Sequence, residues 1–175
     1  PAQKRVYAID AVGLHMSGFA LFMRTRLASL DDIALWLPLD TLSGTTTPDF
    51  SKNGYTGTIT DGASTPGQIS TALAFNGATS KVNCGAAPKT NFTTEDFTIC
   101  LFVYFNNLAG IQVLFSKGVH ASYGYYFDMR NGNNLYVSTD RAGINTNDTF
   151  GIGLVANTWT FLAVRKLGTA VSVFK

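Results

Sequence analysis

After Asp32 the sequence consists of short runs in which apolar and polar residues alternate, separated by clusters rich in Gly, Asn, Asp, Ser and Thr. Alternation with a period of two is typical of a half-buried β-strand, and the polar clusters supply the turns between strands. The pattern therefore predicts an all-β sandwich or barrel. We place the strands near residues 34–39, 56–60, 71–76, 80–84, 97–105, 111–117, 123–129, 134–139, 150–155, 159–166 and 170–174.

The composition is that of a globular protein built from short strands. Of 175 residues, 46% are hydrophobic, only 14% are charged and 17 are glycine, and this length fits one domain. The net charge of +2 is concentrated in residues 1–30, which contain four basic residues and one Asp. The remaining residues are close to neutral and contain no basic stripe, so we expect no nucleic-acid partner.

Residues 1–32 have a different character from the rest of the chain. Their longest uncharged run, Ala11–Met23, is too short to span a bilayer, and we predict no transmembrane segment. From Phe19 onward apolar residues recur at helical spacing, and Ser17 can serve as the N-cap. We predict that residues 1–32 form an N-terminal extension with a short amphipathic helix.

The stretch "FTICLFVYF" at residues 97–105 is apolar on both of its faces. Phe97 and alternate residues after it point one way, while Cys100, Phe102 and Tyr104 point the other way. A strand that is apolar on both faces is expected to be buried on both, so this pattern predicts a central strand.

Six motifs in this order resemble the laminin-G-like, concanavalin A-like jelly rolls. The resemblance covers about residues 33–175 and implies one jelly-roll domain over that range. It also implies further strands after Lys175, supplied either by a longer chain or by a partner chain that completes the sheet. The motifs are "LWLPLD" at 35–40, "DFSKNGYTGTI" at 49–59, "ALAFNGATSKVNC" at 72–84, "FTICLFVYF" at 97–105, "LFSKG" at 114–118 and "NTWTFLAV" at 157–164.

The same architecture is used by glycoside hydrolases and by lectins. Only the residues of a candidate site can show to which class a chain belongs. Hydrolases of this fold use an E-x-D-x-x-E strand that supplies two catalytic carboxyl groups. Glu95 is the only Glu in the sequence, so that motif is absent. His15 and His120 have no nucleophile or carboxylate at catalytic spacing, and we interpret both as surface residues. The sequence favours a non-catalytic protein.

Candidate ligand-binding residues lie in "HASYGYYFDMRNGNN" at residues 120–134. Exposed aromatic rings can stack on sugar rings, and polar neighbours can bind hydroxyl groups. One strand cannot turn three closely spaced tyrosines toward the same core, so at least one should face outward. Ordinary packing within the sheet is the alternative, and Trp36 and Trp159 are interpreted as core residues. The candidates are Tyr123, Tyr125, Tyr126, Arg130 and Asn131.

Asp49 and Asn53 match the "D-x-S-x-N-G" loop that binds calcium in many jelly rolls of this kind. Hard oxygen ligands suit Ca²⁺, and the resemblance implies these two residues as ligands. The alternative is that Asp49 accepts hydrogen bonds from the backbone of its own turn. Cys84 and Cys100 have no zinc-ligand spacing, and their redox state is left open.

Two functions follow from this interpretation. The first is a lectin-like adhesion module that recognises a glycan or a protein surface as part of a larger extracellular or particle-surface protein. The second is a structural component of an assembly such as a virion, which docks through residues 1–32 and displays the jelly roll. A glycoside hydrolase is the third and least favoured alternative.

Overall fold

Antiparallel β-strands make up most of the regular structure in the computed structural model, which describes residues 33–40, 42, 44–92, 95–119, 123–130, 134–141 and 144–175. The prediction of an all-β fold is confirmed. A 3₁₀ turn at Pro88–Thr90 is the only helical element in these ranges. The strands are β1 (Thr46–Thr47), β2 (Gly57–Thr60), β3 (Ala63–Pro66), β4 (Thr71–Ala74), β5 (Lys81–Asn83), β6 (Phe97–Tyr104), β7 (Ile111–Val119), β8 (Tyr123–Arg130), β9 (Asn134–Arg141), β10 (Ile144–Gly151), β11 (Trp159–Leu167) and β12 (Ala170–Phe174).

The chain divides into two units, residues 1–90 and residues 91–175. In the first unit, β2 pairs with β1 and β5, and β3 and β4 form a separate hairpin. The second unit contains a four-stranded sheet in the order β10–β9–β8–β7 and a three-stranded sheet in the order β12–β11–β6. All of these pairings are antiparallel.

The core of the second unit lies between its two sheets. Alternate apolar side chains of β8 and β9 point into this core, where they meet apolar side chains of β6 and β11. This packing is a β-sandwich, and burying each large apolar side chain contributes about 1.5–3 kcal/mol. The most deeply buried members of the core are Phe105, Phe127, Met129, Leu135, Leu162 and Val164.

Asn-Gly pairs within the polar clusters form tight turns where the structure describes them. Gly54 and Gly77 both have positive φ, at +69° and +73°. At the second turn the Oδ1 atom of Asn76 accepts hydrogen bonds from the backbone N–H groups of three residues that follow it, so the side chain replaces a backbone acceptor. A third Asn-Gly pair, Asn131–Gly132, lies outside the described residues.

Two predicted strands are wrong. Residues 34–39 form no strand, because Trp36 bonds to the loop at Asp49 and Phe50 rather than to a strand: its N–H donates to Oδ1 of Asp49, and its carbonyl oxygen accepts from the N–H of Phe50. The strand predicted at 150–155 is shifted, since β10 ends at Gly151. Strands β1 and β3 were not predicted, because their Thr- and Ser-rich sequences lack apolar alternation.

The prediction that residues 97–105 form a central strand is also wrong within the described part of the chain. Strand β6 pairs there with β11 alone. One face of β6 contacts the core, but Phe102 and Tyr104 on the other face are 41% and 40% exposed. Apolar residues on both faces therefore mark a strand with one buried face and one exposed aromatic face.

The N-terminal extension proposed for residues 1–32, with its helix and the domain boundary at 33, lies outside the described residues and stays a prediction. Among the residues that the structure describes, no helix is long and apolar enough to cross a membrane.

Candidate functional site

Strands β8 and β9 form a hairpin whose register decides which side chains share a face. Arg130 pairs with Asn134, and Asp128 pairs with Tyr136, so these four side chains lie on one face of the sheet. The opposite face contains Phe127 and packs into the core. The polar face therefore points away from the core, and we call it the outward face of the four-stranded sheet.

A close contact between two glycines shapes the other end of this hairpin. Gly118 on β7 pairs with Gly124 on β8, and both have positive φ, at +96° and +113°. A Cβ at Gly124 would overlap the carbonyl oxygen of Lys117, so only glycine permits this approach. The hydroxyl of Tyr126 donates a hydrogen bond of 3.1 Å to the carbonyl oxygen of Gly118, which fixes the tyrosine on the outward face.

The centre of the outward face is a bidentate ion pair between Asp128 and Arg130. The Nε atom of Arg130 lies 2.7 Å from Oδ1 of Asp128, and Nη2 lies 2.9 Å from Oδ2. The side chain of Asp128 is 3% exposed and that of Arg130 is 30% exposed. The Cζ atom of Arg130 lies 3.5 Å from the centroid of the Tyr136 ring. The guanidinium is therefore held by a buried carboxylate and an aromatic ring at the same time.

This arrangement keeps Arg130 charged and fixed in orientation. Its hydrogen bonds to Asp128 raise the pKa of Arg130, although partial burial acts in the opposite direction. A guanidinium has five N–H donors, and Arg130 directs two of them at Asp128. Donors remain that can bind the hydroxyl or carbonyl oxygen of a ligand without any rearrangement of the side chain.

The structure separates the three candidate tyrosines. Tyr125 is 3% exposed and its ring stacks on Phe115 at 5.7 Å, so it is a core residue, which corrects its assignment to the ligand-binding group. Tyr123, the first residue of β8, is 61% exposed, and Tyr126 lies on the outward face, so the prediction that at least one tyrosine faces outward is confirmed. Tyr126 is half-buried on the same face as Arg130, and Asn131 lies outside the described residues.

The strands on either side extend the outward face. On β10, Thr149 pairs with Tyr136, and both Thr149 and Asn147 are exposed. On β7, Ile111 and Val113 are 63% and 58% exposed. The face therefore has polar groups along one side and an apolar edge along the other, which is the composition of many ligand-binding surfaces.

Sequence reasoning missed Asp128 and Tyr136. Asp128 is two residues before Arg130, so extending the predicted strand 123–129 by one residue, as β8 does, puts the two side chains on one face. The antiparallel pairing of β8 with β9 places Tyr136 beside Asp128. Asp128 could therefore be found from the strand alone, whereas Tyr136 required the pairing register of β8 with β9.

Asp49 forms the centre of a clasp in the first unit. Its Oδ1 atom accepts hydrogen bonds from the N–H groups of Trp36 and Ser51, at 2.9 and 2.8 Å. Its Oδ2 atom accepts from the hydroxyl of Ser51 at 2.7 Å and from the N–H of Tyr55 at 2.8 Å. The side-chain amide of Asn53 donates to the carbonyl oxygens of residues 33 and 34. This geometry gives both residues a structural role.

The calcium site at Asp49 and Asn53 stays a prediction. Both carboxylate oxygens of Asp49 already accept two protein hydrogen bonds each, so calcium would have to displace N–H or O–H donors. No group of three or more His, Cys, Asp or Glu residues with metal-binding geometry occurs among the described residues.

An all-β chain with antiparallel sheets packed as a sandwich and a polar, aromatic outward face defines the class of a jelly-roll-type binding domain. The family model described as "Concanavalin A-like lectin/glucanases superfamily" matches residues 76–174. The match covers more than half of the chain, and the chain belongs to this superfamily. Comparisons with curated proteins and with solved structures gave no match.

Membership places the chain among lectin-like binding domains at the level of the family. Laminin-G-like domains are mostly non-catalytic, although the superfamily also includes glycosidases, and they are commonly extracellular. The matched region contains both hairpin strands of the outward face, β8 and β9. It begins within the resemblance that the sequence predicted for residues 33–175.

Proposed function

We propose that this chain is a non-catalytic, lectin-like module of an extracellular or particle-surface protein, and that it binds a saccharide on the outward face of its four-stranded sheet. The fork that Arg130 makes with Asp128 above the Tyr136 ring is the observation that supports this most strongly. A fixed guanidinium beside aromatic rings offers hydrogen-bond donors and apolar surface together, as sugar recognition requires.

The sequence contains one glutamate and therefore lacks the E-x-D-x-x-E carboxylate pair of hydrolases of this fold, which supports a binding rather than a hydrolytic role. In Asp128 the carboxylate is buried and already bonded to a guanidinium, so it is a poor candidate for a general acid. Glu95, the only glutamate, lies before β6 and not on the outward face. We therefore expect saccharide binding without turnover.

The test is equilibrium binding of the full 175-residue chain to a broad saccharide panel, with release of reducing sugar measured in parallel. We expect binding without reducing-sugar release, and Tyr126→Ala should weaken it at least tenfold. Tyr55→Ala, which removes a tyrosine of the first unit that is half-buried like Tyr126, is the matched control and should bind normally. Failure to bind any member of the panel, or measurable turnover, contradicts the proposal.

A further inference from the structure

The three-stranded sheet of the second unit also has a face turned away from the core, and that face is aromatic. Register places Trp159 beside Tyr104 and Phe161 beside Phe102 on neighbouring strands β11 and β6. Alternate residues on the same two strands, such as Leu162 and Leu101, contact the core instead. We call the set Phe102, Tyr104, Trp159, Phe161 and Phe174 the aromatic face.

The rings on this face form contacts with one another and remain accessible. The centroids of Phe102 and Phe161 lie 5.3 Å apart, and those of Tyr104 and Trp159 lie 5.6 Å apart. Phe102, Tyr104 and Phe161 are 41%, 40% and 42% exposed. The two ring pairs are two residues apart along both strands, or about 6.8 Å. They therefore form a continuous row rather than isolated surface residues.

The aromatic face is almost free of charge. Among the side chains that β6, β11 and β12 turn outward, Arg165 is the only charged one. Its Cζ atom lies 5.4 Å from the centroid of the Phe174 ring, at the opposite end of the face from Trp159. A ligand that covers the paired rings would therefore meet apolar surface and no fixed charge, which favours an uncharged ligand.

The exposed area of the aromatic face helps to decide between two ligands, a second protein chain and a smaller, extended molecule. Four of its residues are 40–46% exposed, which leaves about 340 Å² of accessible surface on these residues if each has about 200 Å² in total. A stable protein interface buries about 800 Å² on each partner. These four residues alone therefore supply less than half of the area that one partner of a stable dimer buries, and they can accommodate a narrow, extended ligand.

We propose that the aromatic face binds an uncharged, extended glycan, with successive sugar rings stacked on the Phe102–Phe161 pair and the Tyr104–Trp159 pair. This inference rests on the proposed function in one respect, because both assign a saccharide ligand. The two sites are on different sheets and are separable by mutation. Together they give one module a hydrogen-bonding site and a stacking site.

Cys100 provides a native reporter for the aromatic face. It is exposed, lies two residues before Phe102 on β6 and points outward with it. A glycan stacked on the neighbouring rings should shield its thiol from alkylation. In the Cys84→Ser variant Cys100 is the only cysteine, so the rate of iodoacetamide labelling reports this position alone.

The experiment uses the full chain with neutral hexasaccharides of glucose, xylose and mannose as probes and with a sulfated hexasaccharide for comparison. The test variant is Phe102→Ala/Phe161→Ala, and Phe102→Tyr/Phe161→Tyr is the ring-retaining variant. Phe75→Ala is the matched control, since Phe75 is a 49% exposed phenylalanine in the first unit. Circular dichroism establishes that each variant is folded, and sedimentation velocity measures self-association.

We expect at least one neutral hexasaccharide to bind and to slow the labelling of Cys100 at least fivefold. The double alanine variant should bind it at least tenfold more weakly, while the double tyrosine variant and Phe75→Ala should bind normally. The inference is overturned if saccharides bind equally well to the double alanine variant without shielding Cys100, an outcome that leaves the proposed function intact.

Two other outcomes also overturn the inference. If no saccharide in any panel binds, the proposed function fails together with it. If Cys100 labelling slows with rising protein concentration and the double alanine variant abolishes a dimer, the occupant of the aromatic face is a second copy of this chain.

Discussion

The guanidinium of Arg130 lies 3.5 Å from the centre of the Tyr136 ring while it forks onto the buried carboxylate of Asp128. One side chain thus joins a charge on β8 to an aromatic ring on β9. The contacts that fix the guanidinium also neutralise Asp128, so we expect this position to contribute to stability, and the binding that we propose on the outward face would depend on the same contacts.

Replacing Arg130 by alanine should lower the free energy of unfolding by about 2–3 kcal/mol, because Asp128 is left buried without its partner. The loss is placed below the ~3–5 kcal/mol typical of fully buried pairs, since Arg130 is partly exposed. Urea unfolding provides the measurement. Arg165→Ala, at an exposed arginine, should change stability by less than about 0.5 kcal/mol, and equal effects of the two substitutions would contradict this account.

Asp49→Asn should destabilise the first unit by about 2–3 kcal/mol. The substitution replaces one of two acceptor oxygens with an N–H₂ group that faces the N–H and O–H donors of Ser51 and Tyr55. Asp61→Asn is the matched control, because Asp61 is exposed and its φ of +50° suits asparagine equally well. Thermal unfolding of the two variants should differ clearly, and coincident melting curves would contradict the clasp.

The same clasp leads to an expectation for calcium. Because the protein's own donors occupy both carboxylate oxygens of Asp49, we expect the melting temperature to be the same in EDTA and in millimolar CaCl₂. A rise in melting temperature with Ca²⁺ that Asp49→Asn abolishes would instead support the metal site suggested by the sequence.

Gly124→Ala should be among the most damaging single substitutions in the hairpin of β7 and β8. A Cβ there overlaps the carbonyl oxygen of Lys117 at a φ of +113°, and we expect a loss on the order of 3 kcal/mol or more. Gly110→Ala also has positive φ, at +68°, but meets no atom within 4 Å, so its cost should be about 1 kcal/mol. Urea unfolding of the two variants provides the comparison. Similar losses of unfolding free energy would contradict the close approach of Gly124 to the backbone of β7.

Burial raises the pKa of Cys100, so the folded protein retains the thiol proton to a higher pH than the unfolded chain, where cysteine titrates near ~8.5. The contribution of Cys100 to stability is therefore fully present below that pH and declines above it. Denaturant unfolding between about pH 7 and pH 10 should show a steeper decline for the parent than for Cys100→Ala, both in the Cys84→Ser background. If the difference in unfolding free energy between the two proteins does not change with pH, the raised pKa of Cys100 is contradicted.

Most of the strands were predictable because alternation with a period of two is a local signal, as in β8, β9 and β11. Strands β1 and β3 were not, since their polar residues acquire strand structure only by pairing with β2 and β4. The segment containing Trp36 looked like a strand because alternation does not reveal that its backbone bonds to the clasp at Asp49.

The candidate site was predictable only in part. Arg130 and Tyr126 were recognised from their residue types, whereas Tyr125 was misassigned because its neighbours in the core, Phe92 and Phe115, come from other segments. The aromatic face was missed for a related reason. An apolar strand face can meet a second sheet or solvent, and sequence alone does not distinguish the two for Phe102.

The most direct test of the binding function is to map amide chemical-shift changes in the full chain as a bound saccharide is titrated. We predict concentration-dependent shifts along the outward face, at residues such as Tyr126, Arg130 and Tyr136, together with unchanged shifts in the clasp around Asp49. Shifts confined to the clasp, or the absence of any shift on the outward face at saturating saccharide, would contradict the account.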